Sequence, residues 1–144
     1  MRPVTLAFAL GLLLTGGALA GAALAAGLGV KAEMKTVVDP ATNTVFAVGG
    51  EVDPANGPDA AKVPAGRWAE ALAASRTLKA SAAHLTGPQK QAGEVWTKSA
   101  ADFARLADAA EKAATKKDGA AFSKAANDLG DTCTACHSKY KKQG

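Results

Sequence analysis

Both cysteines of the chain lie with a histidine in one short stretch, Cys133-Thr-Ala-Cys-His137, close to the C-terminus. Cys133, Cys136 and His137 stand at i, i+3 and i+4, and on an α-helix these positions share one face. Two thiols and an imidazole in this arrangement could form a disulfide, act as a thiol redox pair, ligate zinc or hold a haem. Other features of the sequence distinguish among these four possibilities.

Three of the four chemistries suit the sequence poorly. A Cys133–Cys136 disulfide is permitted in an exported protein, but its small loop removes little entropy from the unfolded chain. A thioredoxin-like pair belongs at the N-terminal end of a helix in a βαβ unit, whereas this motif lies near a C-terminus without strands. A tetrahedral zinc site needs further ligands, and only His84 could supply one.

Covalent haem attachment suits the motif best. Cys-x-x-Cys-His is the signature of c-type haem, in which two thiols add to the vinyl groups of the porphyrin and the histidine binds the iron. We therefore expect one haem c, attached through Cys133 and Cys136 and ligated by His137. Because this attachment takes place outside the cytoplasm, the sequence should also carry an export signal.

The N-terminus reads as such a signal. Arg2 supplies a positive charge, residues 4–14 form an apolar core, and A-x-A cleavage sites follow at residues 18–20 and 23–25. We predict that residues 1–26 are a cleaved signal peptide and that residues 27–144 form the mature periplasmic domain, without a stable membrane span. The alternative is an uncleaved anchor, because the uncharged stretch is long enough to cross a bilayer, although its Gly- and Ala-rich half is only weakly apolar.

Composition indicates one helical domain. The 144 residues suffice for one domain, and the net charge of +4 is too small and too dispersed to favour nucleic-acid binding. Alanine dominates the hydrophobic residues and aromatic residues make up 5%, which favours helices but gives a thin core. A bulky group could therefore fill part of the interior. No acid–base pair or nucleophile converges with the motif, so we do not expect an enzyme.

Hydrophobic periodicity predicts four helices and no strands. The predicted helices are Val30–Val48, Arg67–Leu85, Gly93–Lys117 and a last helix from Ala120, with a loop over Gly49–Gly66. The first helix has the apolar stripe Met34, Val37, Val38, Ala41, Val45 and Val48. This stripe continues through Pro40, which predicts one kinked helix; the alternative is a break with Asp39 as N-cap.

Short connections predict an antiparallel up-down-up-down four-helix bundle. The stripe of the last helix carries Cys133, Cys136 and Tyr140 together with Phe122, Ala126 and Leu129. In this topology the start of the first and third helices and the end of the second and fourth meet. Met34, His84, Trp96 and the cysteine motif should therefore cluster at one end of the bundle.

A leader, four helices and CTACHSKY close to the C-terminus resemble the class II c-type cytochromes, the cytochrome c prime family. The resemblance covers about residues 30–144, and its most specific residues are Cys133, Cys136, His137 and Tyr140, with Lys139, Lys141 and Lys142 around them. It implies a periplasmic haem protein with His137 as proximal ligand, and we predict that the protein transfers single electrons to redox protein partners. Family members often form homodimers through their first two helices.

The resemblance leaves the other face of the iron open. Low-spin members of the family use a methionine of the first helix, and Met34 is the only methionine besides the initiator. The alternative is that Met34 only fills space and that a five-coordinate haem binds small gases such as nitric oxide or carbon monoxide. His84 is a rival ligand, but it lies off the stripe and we expect it to be solvated.

Four further residues are predicted to line the haem pocket: Val38, Trp96, Leu129 and Tyr140. The remaining alternative is a haem-free structural bundle with a Cys133–Cys136 disulfide.

Overall fold

The computed structural model describes residues 28–57, 62–87, 90–91 and 93–141, and in these ranges the chain is helical without strands. The first helix, α1, is α-helical over Val30–Glu33, π-helical over Met34–Val38 and α-helical again over Asp39–Glu51. A 3-10 turn at Pro54–Asn56 and the helices α2 (Ala65–Thr86), α3 (Glu94–Lys116) and α4 (Gly119–Tyr140) follow. The predicted signal peptide, residues 1–26, lies outside the described residues.

The four helices form the predicted antiparallel bundle. Helix α1 packs against α2 and α4, and α3 packs against the same two helices. At one end of the bundle Arg67 of α2 pairs with Glu51 of α1. At the other end the indole N–H of Trp96 on α3 donates to the carbonyl of Leu85 on α2, at 2.9 Å. The all-α up-down-up-down prediction is therefore confirmed.

An N-cap residue defines the start of the last helix. Asp118 is extended, and its carboxylate accepts a hydrogen bond from the amide of Ala121 at 3.0 Å. Such a cap satisfies one of the amides that the first turn of a helix leaves without a partner. From this start α4 runs to Tyr140, so that the cysteine motif falls in its last turns.

Helix α1 differs from its prediction at its C-terminal end. It runs to Glu51, so that the predicted loop over Gly49–Gly66 is shorter, because Gly49 is buried against Ala126 of α4 and this packing outweighs the low helix propensity of glycine. The alternative of a break at Asp39 is wrong, since the helix is continuous there and the Asp39 amide donates to the carbonyl of Met34.

The core is built from alanines and a few large side chains. Trp68 and Phe122 meet edge-to-face near the starts of α2 and α4, with ring centroids 5.8 Å apart. Among the described residues no helix is long and apolar enough to cross a membrane.

The tight contact between Gly49 and Ala126 gives a first prediction. A Cβ on Gly49 would lie 2.6 Å from the Cβ of Ala126, whereas a Cβ on the next residue, Gly50, would meet nothing within 4 Å. We expect Gly49→Ala to lower the free energy of unfolding by about 1–3 kcal/mol through overpacking. Gly50→Ala is the matched control and should raise it by about 0.5–1 kcal/mol, because alanine restricts the unfolded chain. Chemical denaturation measures both, and equal effects would contradict the packing argument.

Candidate functional site

The predicted helix ends do meet at one end of the bundle. The Trp96 ring, which is bonded to Leu85 at the end of α2, lies edge-to-face on Tyr140 at the end of α4, with centroids 5.2 Å apart. Glu33 at the start of α1 is hydrogen-bonded to His84 at the end of α2. Hence the start of α1, the end of α2, the start of α3 and the motif of α4 share one end.

Cys133 and Cys136 are free thiols one turn apart on α4, and both are half-buried. Burial raises the pKa of both thiols; the neighbouring Cys136 adds to the effect at Cys133, and the hydroxyl of Ser99 opposes it at Cys136. Both thiols are therefore protonated at neutral pH. A thiol redox catalyst needs a lowered pKa, so this environment does not favour that chemistry.

His137 follows Cys136 directly and is exposed on α4. Partial desolvation of the ring lowers the pKa of His137, and the Lys141 ammonium one turn later lowers it further. The imidazole is therefore neutral at pH 7, which leaves a ring nitrogen able to bind a metal.

These donors fit a c-type haem. The two thiols are unjoined and stand at i, i+3, and the neutral imidazole occupies the next position, as the attachment chemistry requires. The hydroxyl of Ser81, one turn before Leu85 on α2, is buried without a hydrogen-bond partner among the described residues. A buried polar group without a hydrogen-bond partner lowers stability. The described residues therefore leave one buried hydroxyl at this end of the bundle without a partner.

The π-helical turn of α1 changes which residue faces the interior. Pro40 has no amide proton, and its ring crowds the preceding turn. The helix widens there, and the Asp39 amide donates to the carbonyl of Met34 five residues earlier instead of four. A π-turn contains one extra residue, so Glu33 rather than Met34 now lies in line with Val38.

Met34 was expected on the interior stripe; it is partly buried and packs against the core, while the preceding residue, Glu33, is fully buried. One prediction at this end is wrong. His84 was expected to be solvated, but its side chain is 19% exposed and its Nδ1 lies 3.2 Å from Oε1 of Glu33. Glu33 was missed altogether, and the signal that could have revealed it is Pro40, a proline inside a helical stripe.

The predicted pocket residues belong to one cluster. Val38, Trp96 and Leu129 are buried in the core, and Tyr140 is half-buried against it. The burial of the α4 stripe weakens after Leu129, because Cys133, Cys136 and Tyr140 are only half-buried. Whether these residues contact a porphyrin stays a prediction.

The two buried tryptophans offer a controlled test of how α2 and α3 are joined at this end. The Nε1–H of Trp96 donates a hydrogen bond to the carbonyl of Leu85. The Nε1–H of Trp68 is buried without a hydrogen-bond partner in the described part of the chain. We expect Trp96→Phe to lower the free energy of unfolding by about 1–3 kcal/mol more than Trp68→Phe, because only the first leaves a buried acceptor unpaired. Thermal and urea unfolding of both variants measure the difference, and an equal loss would contradict this role of Trp96.

Comparison with known proteins finds no family model, no curated protein and no solved structure that matches this chain.

Proposed function

We propose that the chain is a periplasmic class II c-type cytochrome that carries one covalent haem and transfers single electrons. The observation that supports this best is the set of two free thiols and a neutral imidazole on one helix of a four-helix bundle. Its donors have the order and spacing of a c-type haem site, and the bundle has the topology of that family.

In this proposal each residue has a separate role. Cys133 and Cys136 hold the group by thioether bonds, His137 is the proximal ligand and Met34 is the distal ligand. Bound haem supplies the one-electron redox chemistry, while the protein supplies the ligands and a dry environment. Val38, Trp96, Leu129 and Tyr140 exclude water from the pocket.

The proposed partners are other redox proteins. Lys139 and Lys141 are exposed at the end of α4 and would attract an acidic surface. Export by residues 1–26 would place the protein in the periplasm, and pairing of two copies through α1 and α2 belongs to the same proposal.

The test is expression of the full chain in a host that exports proteins and attaches haem c. A haem stain on a denaturing gel, with the intact mass of the purified protein, should show one haem per chain, since only a covalent haem survives denaturation. An unstained, correctly exported chain would reject the proposal and favour a haem-free bundle with a Cys133–Cys136 disulfide.

A second candidate function is the binding of small gases by a five-coordinate haem. It is favoured by the π-turn, which brings Glu33 rather than Met34 into line with Val38 and leaves Met34 only partly buried. The optical spectrum of the purified protein decides between the two. A weak far-red band in the ferric state and a slow response to carbon monoxide indicate methionine ligation, whereas an immediate response indicates an open sixth position.

A further inference from the structure

The hydroxyl of Ser81 is buried and has no hydrogen-bond partner among the described residues. Ser75, which is equally buried on the same helix, donates its hydroxyl to the carbonyl of Ala71 at 2.7 Å. A bond of this kind, to the carbonyl four residues earlier, is the usual way for a serine inside a helix to satisfy its hydroxyl. Because Ser81 does not form it, its O–H is available to a group that the described residues do not supply.

Ser81 lies on the side of α2 that faces α1. His84, three residues later and about 60° away around the helix, pairs with Glu33 of α1. Lys79, which is about 160° away from Ser81, pairs with Asp108 of α3. The helix therefore directs Ser81 toward α1 and the interior, and away from α3.

Ser81 is also nearly level with His137 along the bundle. Helices α2 and α4 run in the same direction, and Trp68 meets Phe122 near the starts of both. Ser81 follows Trp68 by 13 residues, and His137 follows Phe122 by 15 residues. Because a helix rises by about 1.5 Å per residue, the two positions differ by only about 3 Å along the bundle axis.

His137 lies on the face of α4 that is turned toward α1. It follows Ala126 by 11 residues, which is about three turns and returns to within about 20° of the same face. That face packs against α1, because Ala126 contacts Gly49 there. A group held by His137 would therefore lie between α4 and α1, and its far side would face α1 and Ser81.

We propose that Ser81 forms a ligand-binding site on the distal side of the haem: its hydroxyl donates a hydrogen bond to a small ligand whose outer atom is an acceptor, such as an anion on ferric iron. This inference rests on the proposed haem and on the second candidate function, an open sixth position. Hydrogen-bond donors in the distal pocket help to decide which ligands a haem holds. Val38, which is buried on α1, has no polar side-chain atom to offer there.

The test measures the affinity of the ferric holoprotein for azide and the C–O stretching frequency of the ferrous carbon monoxide complex. We expect Ser81→Ala to weaken azide binding by about tenfold, as the loss of a hydrogen bond to a charged group does. The stretching frequency should rise, because carbon monoxide loses the same donor. Ser81→Thr keeps the hydroxyl and should retain most of the azide affinity. Ser75→Ala is the matched control, because its hydroxyl is already bonded within α2.

Thermal unfolding of the ligand-free holoprotein separates ligand binding from a role in the fold. Ser81→Ala should melt at the parent temperature or above it, because a buried hydroxyl without a partner lowers stability. A lower melting temperature would show that the hydroxyl is bonded within the fold and would overturn the inference.

Other results would also overturn it. Unchanged azide affinity and stretching frequency in Ser81→Ala would mean that the hydroxyl contacts only buried water. A larger effect of Thr42→Val would assign the donor to Thr42, whose buried hydroxyl also lacks a partner among the described residues. A parent protein that stains for haem but responds slowly to carbon monoxide would reject this inference alone, whereas an unstained parent protein would reject the proposed function.

Discussion

A Cys133→Ser/Cys136→Ser double variant is expected to show no haem stain on a denaturing gel, whereas the parent chain is expected to stain. The serine hydroxyl is nearly isosteric with the thiol but does not form the thioether bond, so the variant can hold haem only through the iron. The two thiols are half-buried and unjoined, and burial raises the pKa of each, so neither is ionised at neutral pH. The measurement is the stain intensity per chain, with the amount of protein taken from the same gel.

Thr134→Ser is the matched control for the double variant. Thr134 is exposed between the two cysteines, and its replacement leaves the Cys-x-x-Cys-His spacing intact. It should stain as strongly as the parent chain. A double variant that still stained would mean that the haem is held elsewhere, and the assignment of Cys133 and Cys136 would be wrong.

Met34→Ala is expected to open the sixth coordination position. The ferric far-red band should disappear, the reduced protein should bind carbon monoxide at once, and the reduction potential should fall by on the order of 0.1 V, since a methionine ligand favours ferrous iron. Spectra and a redox titration of the holoprotein measure all three effects.

Two controls separate ligation from packing. Met34→Leu keeps an apolar side chain of similar size but has no thioether, so it should behave like Met34→Ala if Met34 is a ligand and like the parent chain if Met34 is only a filler. Val37→Ala changes a half-buried residue of the same turn and should leave the spectrum unchanged. A parent-like Met34→Leu spectrum would favour gas binding.

The sequence was sufficient for the architecture because its hydrophobic periodicity is regular in three helices. Phe122, Ala126 and Leu129 were predicted to share the apolar stripe of the last helix, and all three are buried. The topology followed from the short connections, which is why the ends carrying His84, Trp96 and the motif could be placed together before the structure was known.

The first helix shows where periodicity fails. Its stripe is buried from Val38 onward and only partly buried before it, because Pro40 removes one amide donor and the helix forms a wider turn. A regular period of 3.6 residues cannot represent that extra residue. Glu33 and His84 were misjudged for the same reason, since each is a polar residue that becomes acceptable in the interior only when the other is beside it.

The Gly49–Ala126 contact also has a mechanical consequence. It holds α1 and α4 together about 10 Å, or seven residues of α4, before Cys133. No comparably tight glycine contact joins the described parts of these two helices nearer the motif, where Gly130 would meet Phe46 only at 3.8 Å. A flat, bulky group bound between α1 and α4 near the motif would therefore move these two helices apart at that end of the bundle. The Gly49–Ala126 contact would stay in place, and the half of the bundle beyond it would keep its packing.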